Sequence, residues 1–225
     1  VENRFFHRLV SIQLFQGLST DDFMNIAERV HFDFRTVAEG ENLLEEGDPC
    51  EQLMCSISGV VCKEMRCDNG SYLFKEYSST PTVMQPERLF GLRPRHSATF
   101  TAASEVQLLI VPKHEVRDIL FKNIPFHINF LNMVCSAQHL WETRLFHPLP
   151  QTLHQQFLHF LLMRSSRPAG KKELIIDMVT LAAELTTTRL RVSQMLNTLK
   201  ENGLIELRRR HIIIPSLEKL IQHAQ

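Results

Sequence analysis

Thr188, Arg189, Arg191, Ser193 and Gln194 fall within about two turns of an expected helix, and their side chains suit the edges of DNA bases. An arginine fork matches guanine O6 and N7, a glutamine amide matches adenine N6 and N7, and hydroxyls pair with either kind of base. Further on, Arg208-Arg209-Arg210 forms a short basic run. Three consecutive arginines are ordinarily a solvated charge cluster, but beside a helix of this kind a phosphate contact is the better reading.

The surrounding residues supply the scaffold that such contacts need. Leu181, Ala182 and Leu185 make one short apolar face. A threonine cluster interrupts it, and Val192, Leu196 and Leu199 restart helical spacing on the next segment. The two faces must share a small core, which predicts a helix-turn-helix. Thr188 is placed to cap the second helix with its hydroxyl, directing Arg189, Arg191 and Gln194 toward a major groove. Ile205-Glu206-Leu207 and His211-Ile212-Ile213-Ile214 read as the two strands of a wing, with the three arginines at its tip. Upstream, a helix carrying Leu153, Phe157, Phe160 and Leu161 and a short strand Leu174-Ile175-Ile176 open the same unit.

This segment resembles the DNA-binding end of the cyclic-AMP receptor protein and FNR superfamily of bacterial transcription regulators. The resemblance rests on Leu181, Ala182, Leu185, Arg189, Val192, Ser193, Leu199 and Gly203-Leu204-Ile205. Thr186 stands where the family has a turn glycine, Leu190 where it has glutamate, and Gln194 where it has a second arginine. The last two changes bear on the target sequence and not on the fold. A winged helix used only for protein contact is the plainer alternative.

The chain has 225 residues, 44% of them hydrophobic and 22% charged, enough for two domains with cores of their own. Net charge is zero, yet it is segregated: from Gln151 onward eleven Lys or Arg face six Asp or Glu, against fourteen and nineteen in the preceding part. A +5 end joined to a −5 body fits a DNA reader carried by a sensor that does not itself touch DNA. No apolar run approaches the ~20 residues that cross a bilayer. The start, Val1-Glu2-Asn3-Arg4-Phe5-Phe6, lacks the pattern of a signal peptide. With five cysteines read as reduced thiols, the expected location is the cytoplasm.

Near the start, Ser19 can cap a helix carrying Phe23, Ile26 and Ala27 inward. From Phe32 to Val111, short apolar or alternating runs are cut by Gly40-Glu41, Glu46-Gly47-Asp48-Pro49, Ser58-Gly59, Asp68-Asn69-Gly70 and Gln85-Pro86-Glu87, the pattern of a small β-roll or jelly roll. Asn69-Gly70 is its strongest hairpin signal. Ala38 to Glu41, Glu46 to Pro49, Leu53 to Gly59 and Leu89-Phe90-Gly91 extend the resemblance, whose members have a cyclic-nucleotide-binding fold here. Next, Phe126, Phe130, Met133, Ala137 and Leu140 recur at steps of four, three, four and three, a coiled-coil seam read as the dimer interface. Ile128, Leu131 and Cys135 form a second apolar side, expected against the roll. His147-Pro148-Leu149-Pro150 then breaks the helix as a hinge. The expected class is α+β: a sensor roll over 1–111, a dimerisation helix region over 112–147 and a winged helix-turn-helix over 148–225.

The resemblance also implies a candidate effector loop. In nucleotide-binding members a Gly-Glu pair and an Arg-Ser or Arg-Thr pair hold the ribose and cyclic phosphate. Here the loop reads Gly91-Leu92-Arg93-Pro94-Arg95-His96-Ser97. Leu92 cannot accept a ribose hydroxyl and His96 replaces the phosphate arginine, so cyclic AMP is not the expected effector. Gly91, Arg93, Arg95, His96 and Ser97 are the candidate contacts for another ligand. No cysteine precedes Cys50, and Cys50, Cys55, Cys62 and Cys67 lack cluster or zinc spacing, which leaves them as free thiols. Haem ligation stays open, since eleven histidines are present but no axial pair identifies itself. A redox- or haem-sensing regulator and a cupin-type metalloenzyme with an accessory winged helix are the alternatives. The second lacks any H-x-H pair, Walker loop, HExxH or G-x-S-x-G, so catalysis is not expected. The expected partners are an inverted-repeat DNA operator, a second copy of the chain and RNA polymerase, with no metal and no membrane.

Overall fold

The close-set turn residues between Phe32 and Val111 separate eight short strands. These are β1 (Asp33–Val37), β2 (Asn42–Leu44), β3 (Gln52–Ser58), β4 (Val61–Arg66), β5 (Tyr72–Ser78), β6 (Thr82–Val83), β7 (Thr99–Ala102) and β8 (Val106–Pro112). The computed structural model describes residues 9–145 and 150–224. The N-terminal Val1 to Phe6 and the hinge residues His147 to Leu149 lie outside them. Contacts group the chain into two units, Val1–Cys62 with Ser78–His139, and Lys63–Tyr77 with Leu140–Gln225.

The first unit is a jelly-roll-like β domain. Antiparallel strands in the order β1-β8-β3-β6 form one sheet, and β2 pairs with β7. The strand β8 is buried along Leu108–Val111, a continuous apolar run suited to a central strand with both faces covered. Gly59 is required between β3 and β4: its φ is +90°, and a Cβ there would collide with the Glu105 carbonyl oxygen. Helix α1 (Thr20–Ala27) opens on a complete capping box, in which Ser19 Oγ accepts the Asp22 amide and the Asp22 carboxylate accepts the Ser19 amide. Phe23 and Ile26 enter the core as expected, whereas Ala27 is exposed one step off that face. Two short helices, α2 (Pro86–Leu89) and α3 (Lys113–Asp118), precede the long α4 (Ile124–Leu145).

The inward face of α4 corrects the expected seam. Phe126 is fully buried and Phe130 is 6% exposed, both in the core that contains Leu14, Phe15, Phe23 and Leu109, and Met133 and Val134 pack against it. Ring contacts of Phe126 with Phe15 at 5.3 Å and of Phe130 with Phe121 at 5.0 Å seat this face. Asn129 adds a hydrogen bond to the Gln16 carbonyl at 2.7 Å. Phe126, Phe130 and Met133 therefore serve the chain's own core; Ala137 and Leu140 are half-buried. The other apolar side, Ile124, Ile128, Leu131 and Cys135, is exposed. Both sides carry the same four-three repeat, so spacing could not distinguish them.

The second unit opens, beyond the hairpin, with α5 (Leu153–Arg164), capped by a Thr152–Gln155 box. Strand β9 (Lys172–Ile176), helices α6 (Met178–Glu184) and α7 (Arg189–Glu201), strands β10 (Glu206–Arg208) and β11 (His211–Ile214), and helix α8 (Leu217–Ala224) follow. Within this unit the strand order is β10-β11-β9-β5-β4. The Asn69-Gly70 hairpin forms, with Gly70 at φ +70° and its amide donating to the Cys67 carbonyl at 2.7 Å. It does not stay with the N-terminal domain, as a limit at residue 111 implies. Its strand β5 pairs with β9 from Tyr72↔Ile176 to Glu76↔Lys172, and Phe74 joins the core of Phe157, Leu161, Leu174, Leu196 and Ile214.

Candidate nucleic-acid interface

Asp177 starts the helix pair. Its Oδ1 accepts the Val179 and Thr180 amides at 3.0 and 2.8 Å, capping α6, and these bonds with the nearby Arg210 charge hold the carboxyl below the ordinary aspartate range. The turn closes through Thr187 N to Ala182 O at 2.9 Å. Thr186, at the position of the family's turn glycine, adopts φ +48°, a left-handed conformation that a β-branched residue takes only under strain. Thr188 then caps α7, its Oγ1 accepting the Arg191 amide at 3.4 Å.

Helix α7 has 13 residues, a length at which an isolated helix is marginal in water. Val192, Met195, Leu196 and Leu199 are buried, and each contributes about 1.5–3 kcal/mol by leaving water. That packing fixes which residues face outward. Arg189, Arg191 and Gln194 are exposed, Thr188 is exposed at the cap and Ser193 is half-buried. Two positions on this outer face escaped the sequence reading. Leu190 is 68% exposed although it is a large apolar residue, and Asn197 is exposed one turn beyond Gln194's neighbours. The signal for Leu190 was its substitution for the family's glutamate; for Asn197 the buried stripe alone defines the outer face. An exposed leucine at the start of such a helix can meet a thymine methyl, and an asparagine can pair with adenine.

The wing lies on the same sheet. β10 and β11 pair from Glu206↔Ile213 to Arg208↔His211, leaving Arg209-Arg210 as a two-residue turn with Arg210 at φ +58°. The Arg210 carbonyl accepts the Ile176 amide at 3.0 Å, and its guanidinium lies 3.5 Å from Asp177 Oδ2, so the turn is anchored at the start of α6. All three arginines are exposed.

The candidate effector loop is knitted inward. His96, 5% exposed, places Nδ1 3.1 Å from Gln85 Oε1, which also accepts the Ser97 amide at 3.2 Å. Gln85 Nε2 donates to Ser97 Oγ at 2.7 Å, and burial pushes the His96 pKa below its ordinary value. Arg95 donates to the Gly47 carbonyl at 2.7 Å. His96 and Ser97 thus tie the loop to the residue before α2. Gly91 and Arg93 are exposed beside Leu92. Cys50, Cys55 and Cys62 are buried thiols; burial pushes the Cys50 pKa to about 11 and the Cys55 pKa higher still. Among the described residues no group of three His, Cys, Asp or Glu is placed to hold a metal, and no helix is long and apolar enough to cross a membrane.

A capped helix pair, a polar outer face on the second helix and a basic two-stranded wing define a winged helix-turn-helix. Residues 155–223 match the Crp-like helix-turn-helix domain. No curated protein sequence matches the chain. Solved structures with a similar course include the catabolite activator protein of Thermus thermophilus, 19% identical, covering 94% of this chain and 98% of that one at a TM-score of 0.46. FixK2 of Bradyrhizobium japonicum is 16% identical over 85% and 96% of the two chains, with a TM-score of 0.49. DNR of Pseudomonas aeruginosa is 19% identical over 96% of each, with a TM-score of 0.45. At this level of likeness no residue role transfers from them.

Proposed function

We propose that this protein is a sequence-specific DNA-binding transcription regulator that acts as a homodimer under the control of a ligand at its N-terminal domain. The observation that carries the reading is the outer face of α7. Arg189, Arg191 and Gln194 project from a helix whose opposite side is locked into a core, beside a basic wing and within a segment that matches a Crp-like helix-turn-helix domain. Base edges are read by side chains of this kind, and the wing arginines supply phosphate contacts.

The dimer contact passes to the exposed stripe of α4, Ile124, Ile128, Leu131 and Cys135, in place of the stripe from Phe126 to Leu140. A stripe of this spacing pairs helices in a coiled coil. The effector is not cyclic AMP: Leu92 offers no ribose acceptor, and His96 and Ser97 are engaged with Gln85. Gly91, Arg93 and the outer side of Arg95 remain its proposed contacts.

Selection of bound duplexes from a random pool tests the function directly. A single enriched sequence is expected. Arg189→Ala should then weaken the selected site by ~1–3 kcal/mol relative to unrelated DNA. Equal weakening of both would make Arg189 a phosphate anchor, and an unenriched pool would remove sequence reading altogether.

A further inference from the structure

A cleft of about 440 Å³ opens on the outer face of the second unit, between the tip of the β4–β5 hairpin and the turn of the wing. Its floor is one cross-strand row, Leu73↔Ile175↔His211, which runs over β5, β9 and β11. Side chains directly opposite one another on antiparallel strands share a face, so these three lie side by side. Arg66 lines the cleft from the hairpin, and Arg209 and Arg210 line it from the wing. From β4 to β11 is three strand spacings, ~14 Å at ~4.8 Å each. Arginine side chains reaching in from either side of a gap of this width can meet on an oxyanion held between them.

The charge balance of the cleft favours an anion. The acidic groups in ion-pair contact with the lining residues, among the described residues, are Asp177 and Glu173, and each is otherwise engaged. Asp177 lies 3.5 Å from Arg210 while accepting two backbone amides, and Glu173 is held between Lys171 at 2.6 Å and His211 at 3.1 Å. Arg66 and Arg209 are both exposed at the rim. The apolar floor of Leu73 and Ile175 keeps water from one side of the site, which strengthens a guanidinium–oxyanion contact.

We propose that this cleft is a phosphate-binding site completed by Arg66, a residue from the part of the chain that composition assigns to the sensor. The ligand chemistry is a phosphate oxyanion. It has two sources, the backbone of bound DNA or a free phosphate group, and the wing turn shared with the DNA-reading unit favours DNA. The proposal rests on the DNA-binding reading and extends its contact surface to the hairpin.

The test compares wild type with Arg66→Gln and Arg66→Glu on the selected duplex and on unrelated duplex, over 50–200 mM salt. Loss of one phosphate contact per subunit should lower affinity for both duplexes by the same factor and flatten the log–log salt slope by about 0.9 per subunit. Calorimetry with inorganic phosphate, run on the same three proteins, separates the sources. Phosphate binding that Arg66→Gln abolishes, with the DNA slope unchanged, assigns the cleft to a free phosphate group and overturns the DNA assignment. A wild type that selects a sequence while both Arg66 variants keep its slope and neither phosphate titration gives heat overturns the site but leaves the DNA-binding reading intact. A wild type that selects nothing overturns that reading, and the phosphate titration then decides the cleft by itself.

Discussion

Lys172 shows at a single residue how the hairpin is held. Its side chain is fully buried, and its Nζ lies 2.9 Å from Glu76 Oε1 and donates to the Ala169 carbonyl at 2.7 Å. Glu76 in turn accepts the Ser166 and Arg167 amides at 2.8 and 2.9 Å. Burial pushes the Glu76 pKa up, but the Lys172 charge and these amides outweigh it and hold the carboxyl below the ordinary glutamate range. Because the folded value is depressed, the stability this group contributes is present above its unfolded value and is lost as pH falls through the folded one. Replacing one member of a buried pair strands the other. Lys172→Met should therefore cost about 3–5 kcal/mol of unfolding free energy, while Lys172→Met with Glu76→Gln, which removes the stranded charge and keeps an acceptor for the Ser166 and Arg167 amides, should cost much less. Urea unfolding at neutral pH measures both. Equal losses in the two variants would mean that packing, and not the stranded charge, sets the cost.

At the scale of the element, α4 divides its two apolar sides between two tasks. The Phe126, Phe130 and Met133 side completes the core of the first unit, and the Ile124, Ile128, Leu131 and Cys135 side stands in solvent. Ile124 at 74% and Ile128 at 50% exposure are costly for a helix with no further contact, which is the reason to give them a second copy as partner. Leu131→Glu should place a charge in each strand of the paired helices and shift the protein to monomer in sedimentation analysis, with its circular dichroism unchanged. Met133→Glu should instead lower the thermal midpoint, since Met133 packs against the chain's own core. A Leu131→Glu protein that sediments as a dimer with native helix content would exclude this stripe as the interface.

For the whole molecule, a dimer built through one helix relates two recognition helices by a two-fold axis. The operator is then expected to be an inverted repeat with half-sites about one helical turn, ~34 Å, apart. Inserting about five base pairs between the half-sites turns one of them to the opposite face of the duplex. Gel-shift affinity for that DNA should drop to the value for a single half-site. Undiminished affinity would show that each copy reads DNA independently. The segregated charge, +5 from Gln151 onward and −5 before it, should favour approach of the basic end to DNA, with the β4–β5 hairpin and its Arg66 as the part of the acidic segment expected to join it.

The helix-turn-helix was legible because everything that makes it is local. Leucine spacing, the Thr188 cap, the Thr186 turn and the Gly203-Leu204-Ile205 exit lie within 25 residues, and each acts on its near neighbours. The outward direction of Arg189, Arg191 and Gln194 follows from the same stripe that buries Val192 and Leu196. The Asn69-Gly70 turn was legible for the same reason. Where its hairpin goes was not, because the pairing of Tyr72–Glu76 with Lys172–Ile176 joins residues 96 to 104 positions apart and depends on register, which no local pattern records. The Lys172–Glu76 pair and the cleft with Arg66 beside the wing arise from that pairing alone. Likewise, two apolar stripes on α4 obey one repeat, and only the packing of Phe15 and Phe121 against Phe126 and Phe130 decides which of them turns inward.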